Sequence, residues 1–261
     1  MPYHVLVALG TGMLALGASI FHLGRPRYAF RAVLGLKRSW LSREIVAFGL
    51  FAVLATIYAL SCWSTLFPDV FIIDGAATAT AIVGAIGIFC SAMVYKVTRR
   101  PFWDHPMTVV KFFMTIGILG IATIVWTTII FFQGNKEFTF AVVPLPMRVL
   151  CVVLSIMTAI KLLVDSGIFL HLYERELTSL KKTALLMTGP FRSIVVWRFV
   201  CGFAGGILLP ILWLHSSAER EFFQILWLST GILSLSLLGE FLERYLFFRA
   251  VVPLKMPGAK S

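Results

Sequence analysis

The sequence predicts an all-α polytopic transmembrane helix bundle with seven spans, and three observations carry that prediction. Of the 261 residues, 59% are hydrophobic and only 13% charged, where a soluble chain carries roughly 45–50% apolar and about 25% charged residues. Mean hydropathy is +0.91. That leaves too little polar side-chain surface to coat a water-soluble globule, and it excludes disorder, because disordered chains are poor in apolar side chains. The apolar residues also gather in runs of about 20, the length that crosses about 30 Å of hydrocarbon.

The runs are 5–23, 41–63, 71–95, 107–132, 147–170, 191–214 and 222–248. The first follows Met-Pro-Tyr-His without a basic segment, so it reads as a span and not as a cleaved signal peptide. The second opens on Ser42 and Glu44 after a basic connection, and the third carries Asp74 near its start and ends MVYK. The fourth separates a second basic connection from the short loop near Glu137. The fifth holds Lys161 and, late in its course, Asp165. The sixth has Arg198 near its start and a candidate break at Gly205, Gly206 and Pro210, and the seventh carries Glu240 and Glu243 late. No run shows the alternating pattern of a barrel strand. Without an internal repeat or low-complexity linker, residues 1–261 are expected to form one transmembrane domain.

The net charge of +11 is confined to blocks between the runs, where it records topology. Arg25, Arg27, Arg31, Lys37, Arg38 and Arg43 share a face with Lys96, Arg99, Arg100 and Lys111. The same face takes Arg175, Lys181, Lys182, Arg192, Arg198, Arg244, Arg249, Lys255 and Lys260; the other takes Lys136, Arg148 and Arg220. Lys161 fits neither. The bias places the basic face, with the His22–Glu44 end, in the cytoplasm; the lesser alternative is that those loops dock an acidic partner on the outside. The basic residues are not interleaved with aromatics, so no nucleic acid is expected as partner, and the surrounding membrane lipid is. Cys62, Cys90, Cys151 and Cys201 stand singly with no CxxC pair, which argues against a zinc or iron–sulfur site in this chain. They read as small buried hydrophobes.

Charge within a span is costly and faces a protein interior or a functional cavity. Glu44, Asp165, Arg198, Glu240 and Glu243 all fall in the same membrane half. One reading is structural, with acids and arginine paired to hold helices together. The other is a site that moves protons or binds a polar ligand. His22, at a span end, is an interfacial side chain, a b-haem ligand paired with His171, or a proton acceptor whose ordinary pKa of about 6.5 suits quinol oxidation.

The stretch HLGRPRYAFRAVLGLKRSWLSREIVAFG, from His22 to Gly49, carries a more specific signal. His22, Leu23, Gly24 and Pro26 end one span, a basic connection follows, and Ser42 and Glu44 open the next. The pattern resembles the membrane-anchor subunit of anaerobic dimethyl sulfoxide reductase, the DmsC family, within the wider polysulfide-reductase membrane-subunit (NrfD-like) superfamily. Weaker blocks agree in order: Tyr95 followed by Pro101 and Trp103, the pair Trp197-Arg198, and the Glu240–Arg244 block of the last span. The family has eight spans, and the first here corresponds to its second. Roughly forty residues, one span of about 20 with its connection, are therefore expected to be missing through a truncated start or a deletion.

The resemblance implies an anchor in the cytoplasmic (inner) membrane of a bacterium or archaeon. It implies partners, a molybdopterin catalytic subunit and a four-cluster iron–sulfur subunit. Menaquinol is implied as substrate, with no cofactor or metal held permanently in this chain. By the family's pattern His22 and Glu44 are the quinol-site residues, with Arg25, Tyr95, Trp103, Arg198 and Glu240 as further candidates for quinol binding. His22 would take a proton from one quinol hydroxyl and Glu44 would carry a proton onward. Arg25 would hold Glu44 or the charged quinol, or else serve topology and lipid contact. A secondary transporter, with a broken helix at mid-membrane, and a haem b-containing quinone oxidoreductase subunit are the competing functions.

Overall fold

The computed structural model describes residues 2–20, 31, 33–63, 70–132, 145–215 and 222–252. The helices are α1 (Pro2–Ile20), α2 (Trp40–Trp63), α3 (Val70–Lys96), α4 (Pro106–Phe132), α5 (Leu145–Ser166), α6 (Ser179–Thr188), α7 (Arg192–Phe203), α8 (Leu209–Leu214) and α9 (Phe222–Arg249). A 3-10 segment, Gly167–Tyr173, extends α5, and a π turn, Ala204–Leu208, joins α7 to α8. Among the described residues six stretches are long and apolar enough to cross a membrane: Trp40–Trp63, Ile72–Lys96, Pro106–Phe131, Leu145–Tyr173, Arg192–Leu214 and Phe223–Arg249. With the shorter apolar helix α1 they account for the seven expected spans, each within a few residues of its sequence-derived limits. There is no strand among the described residues.

The chain divides into two compact units, Met1–Tyr95 and Lys96–Ser261. In the first, α1 and α2 meet at Gly12, where an added Cβ would touch the Phe51 ring at 3.4 Å, and at an edge-to-face Tyr3–Trp63 pair. Helix α3 receives Phe48 and Phe51 at Gly87 and Gly84. The start of α2 is fixed locally. Ser39 Oγ accepts the Ser42 backbone N–H at 3.3 Å, which satisfies one of the donors left open at a helix start. Arg43 reaches back to donate to the Leu36 and Lys37 carbonyls at 2.8 and 3.2 Å and lies over the Trp40 ring.

In the second unit α4, α5, α8 and α9 enclose a core of Ile118, Ala122, Val125, Cys151, Leu154, Trp213 and Ile232. Lipid is as apolar as leucine, so side-chain burial alone does not hold spans together, and close approach through small residues does. The π turn shows this. A Cβ on Gly205 would stand 2.7 Å from the Ser236 backbone nitrogen, and one on Gly206 would collide with the Thr158 side chain. The turn also absorbs Pro210, which has no N–H to continue the helical ladder. Leu209 N–H bonds to Ala204 O five residues back, as a π turn requires. The candidate break at Gly205, Gly206 and Pro210 is therefore a continuous helix with one widened turn, and not the unwound mid-membrane segment of a transporter.

Helix α6 lies in what the sequence presents only as a connection between spans. Thr178 caps it by accepting the Lys181 N–H, and its Thr183, Ala184 and Met187 are buried. As expected, Cys90, Cys151 and Cys201 are buried; Cys62 is half-buried.

Candidate functional site

Among the described residues, ionisable side chains within the spans of each unit make contacts that bear on function. In the first unit Glu44 sits in the second turn of α2, half-buried, and its Oε1 accepts a short hydrogen bond from the Ser91 hydroxyl of α3. Beside it an apolar groove of about 390 Å³ runs between α2 and α3, lined by Trp40, Ala47, Leu50, Ile86 and Phe89, with Arg43 at its edge. Glu44 and Ser91 do not line it themselves; each directly follows a residue that does, Arg43 and Cys90. His22 and Arg25 lie outside the described residues. Tyr95 is half-buried in the last full turn of α3.

In the second unit four helices converge on one sealed ionic network. Lys161 of α5 is fully buried and pairs with Glu240 of α9, with Glu243 4.0 Å away. Arg198 of α7 bonds Asp165 of α5 at 3.0 Å and Glu240 at 3.2 Å. Lys111 of α4 pairs with the other oxygen of Asp165 at 2.8 Å. Thr115 of α4 knits the centre: it donates to Glu240 at 2.7 Å and accepts from Lys161 at 2.5 Å and from Arg244 at 3.3 Å. Arg244 also lies over the Phe112 ring at 3.6 Å and 3.6 Å from Glu243. Room for the Arg198 guanidinium comes from two glycines. A Cβ on Gly202 or Gly239 would stand 2.9 or 3.2 Å from its Nη1.

The structure thus joins Asp165, Arg198, Glu240 and Glu243, as their shared depth in the sequence suggests. Arg198 and Glu240 are each bonded from several sides to other members of the network. Trp103 joins two segments of the second unit. Its indole N–H donates to the Phe247 carbonyl at 2.7 Å and its ring stacks on Phe247, pinning the segment before α4 to the end of α9. Three cations that the sequence groups with the loops, Lys111, Arg198 and Arg244, belong inside this network. So does Lys161, which fits neither face in the sequence. A lysine inside a long apolar run is itself the signal for Lys161, because such a charge is tolerated only with a buried carboxylate to meet it.

Outside the spans, Glu174 meets the His171 ring Nδ1 and accepts from the Thr178 hydroxyl at 2.5 Å. These hydrogen bonds, Thr178's first, hold its carboxyl below the ordinary value of 4.5.

Over residues 2–249 the chain matches the family described as DMSO reductase anchor subunit (DmsC). It is 35% identical over 117 residues to a sulfite dehydrogenase subunit of Allochromatium vinosum, a match covering 41% of this chain and 36% of that one. It is 31% identical over 142 residues to one of the chains of the anaerobic dimethyl sulfoxide reductase of Haemophilus influenzae, covering 54% and 48%. Over 251 residues it is 25% identical to YnfH, an anaerobic dimethyl sulfoxide reductase chain of Escherichia coli, covering 94% and 79%. The chain thus spans about a third to a half of the length of the first two. No solved structure matches it.

Proposed function

The chain belongs to the DMSO reductase anchor subunit family, and from that premise we propose that it oxidises menaquinol on behalf of partner subunits that it holds at the membrane. It is a multi-pass inner-membrane protein. The partners in this reading are a molybdopterin catalytic subunit, which acts on the terminal acceptor, and an iron–sulfur subunit, which takes the electrons. This chain has no part in the terminal reaction beyond supplying them.

Oxidation of a quinol to a quinone releases two electrons and two protons, so the chain's own task is to accept protons and hold the ring. The observation that carries the reading is Glu44, half-buried, hydrogen-bonded by Ser91 and next in sequence to Arg43, which lines the α2–α3 groove. The groove suits the isoprenoid tail of menaquinol, and the nearby Glu44 carboxylate suits a proton leaving a quinol hydroxyl. His22 is assigned the other proton, and Arg25 the holding of charge at the ring, on the family pattern.

The test compares two electron donors on the assembled complex. General acid–base groups contribute about 10²–10⁴-fold. Glu44→Gln is therefore expected to lower menaquinol-driven turnover about 10²-fold while turnover with a soluble reduced dye, which bypasses the quinol, stays unchanged. His22→Ala should do the same. Equal loss with both donors, or loss of the assembled complex alone, would mark Glu44 as structural and sink the proposal.

The likeness to a sulfite dehydrogenase subunit favours a second direction of flow, in which the same residues give protons to menaquinone as it is reduced. Turnover driven by an oxidisable substrate with menaquinone as acceptor would establish that direction; turnover only with menaquinol as donor would exclude it.

A further inference from the structure

A second cavity, of about 280 Å³, opens in the second unit at the start of α4. It is lined by His105, Lys111 and His171 together with apolar Phe102, Ile168 and Leu180. Its level in the membrane is set by its walls. His105 immediately precedes the first residue of α4, and His171 lies in the last turn of the Leu145–Tyr173 span. Both mark span ends, which is where lipid headgroups lie.

Three features give this cavity a preference for negative charge. The first is the sealed network behind it. Among the described residues the network sets four cations, Lys111, Lys161, Arg198 and Arg244, against three carboxylates, Asp165, Glu240 and Glu243. A positive excess in a medium of low dielectric is strongly felt at short range, and Lys111 is the member shared by the network and the cavity wall. The second is the pair of imidazoles. His105 Nδ1 accepts the Met107 backbone N–H at 3.2 Å, so the neutral ring carries its proton on Nε2 as a hydrogen-bond donor. The His171 ring meets the Glu174 carboxylate through Nδ1 and stands on the same cavity wall as His105. The third is the positive end of the 27-residue helix α4, at which Met107 and Thr108 line the cavity. Apolar Phe102, Ile168 and Leu180 beside these groups call for an occupant that is an anion at one end and hydrocarbon at the other.

We propose that this cavity binds the phosphodiester headgroup of an anionic phospholipid, with its acyl chains leaving along the apolar wall. The bound lipid offsets the excess positive charge of the network through Lys111 and ties the start of α4 to the end of α5. The site is independent of the menaquinol reading, since it uses none of Glu44, His22 or Arg25.

The experiment uses the intact complex in phosphatidylcholine vesicles carrying a trace of spin-labelled phosphatidylglycerol or of spin-labelled phosphatidylcholine. Electron paramagnetic resonance then reads the motionally restricted fraction of each label. The expected result is a several-fold excess of restricted phosphatidylglycerol that is lost in the His105→Ala, His171→Ala double variant. Leu180→Trp, which fills the cavity without changing charge, should abolish the excess in the same way and serves where the double variant does not assemble. Millimolar inorganic phosphate should leave the excess in place; its removal by phosphate would mean a site for soluble anions and overturn the lipid assignment. Equal restriction of the two labels, or an excess that survives the variants, would overturn the proposal as well. So would a cavity shown to be filled by a partner subunit in the complex.

Discussion

The two units place charge in spans in opposite ways. In the second, Lys161, Arg198, Glu240 and Asp165 are nearly or wholly sealed and meet one another from several helices. In the first, Glu44 is half-buried and accepts from a neutral hydroxyl, next in sequence to a residue that lines an open groove. Charges that meet opposite charges from several helices hold those helices in register, and only Lys111 of the network also lines the cavity at the start of α4. A half-buried carboxylate that accepts from a hydroxyl is the better placed of the two to exchange a proton. The hydropathy cost of the two is similar in sequence; their surroundings separate scaffold from chemistry.

Breaking the sealed network should have the largest effect. Arg198→Met removes the cation that bridges Asp165 and Glu240, and removing one partner of a buried pair costs about 3–5 kcal/mol. The folded yield in detergent, read by fluorescence-detected size exclusion, should collapse, whereas Glu44→Gln should leave it intact. The opposite pattern would reverse the roles assigned to the two regions.

Gly206→Ala comes next. Its Cβ would collide with the Thr158 side chain, and overpacking of this kind costs about 1–3 kcal/mol. The melting temperature of the complex should fall while the ratio of menaquinol-driven to dye-driven turnover stays constant.

Ser91→Ala sharpens the other side of the comparison. Hydrogen bonds to charged groups contribute about 1.5–3 kcal/mol, so losing this one should slow menaquinol-driven turnover about tenfold with no change in melting. A melting change without a turnover change would place the Ser91–Glu44 contact among the scaffold interactions.

The smallest effect belongs outside both. Thr178→Ala removes the α6 cap, worth about 1 kcal/mol, and should raise hydrogen exchange in 179–182. In the wild-type chain Glu174 has a depressed carboxyl pKa, held down by Thr178 and His171. Its contribution to α6 is therefore present above the ordinary value of 4.5 and is lost as the pH falls through the depressed one. Protection at 179–182, taken relative to the intrinsic exchange rate at each pH, should stay level from about pH 7 to 5 and fall only in stronger acid, and the fall should be absent in Thr178→Ala.

The limits of the spans were legible in the sequence because hydrocarbon imposes them. A backbone that crosses lipid must satisfy its hydrogen bonds within its own helix, so about 20 apolar residues imply a helix wherever they occur. The widened turn of the sixth span left a trace too, in Gly205, Gly206 and Pro210, although whether it breaks the helix or only widens it depends on Thr158 and Ser236 packing against it. Helix α6 was hidden because ten residues of mixed polarity carry no hydropathy signal, and its cap is a single threonine. The motif around Glu44 was readable because its parts are consecutive, but Ser91, 47 residues on, was not.

What the sequence determined by itself was the number of helices that cross the membrane, the solvent they cross, and the motif that places the chain in its family. Each of these is written in local composition or in neighbouring residues. Only the tertiary structure decided which charges are sealed together. Lys161 and Glu240 are 79 positions apart, and Thr115 and Arg244 are 129 apart. Whether such pairs meet depends on the rotation and depth of each helix against its neighbours. Those are fixed by glycines that let backbones touch, a property of the packed helices that no single stretch of sequence contains.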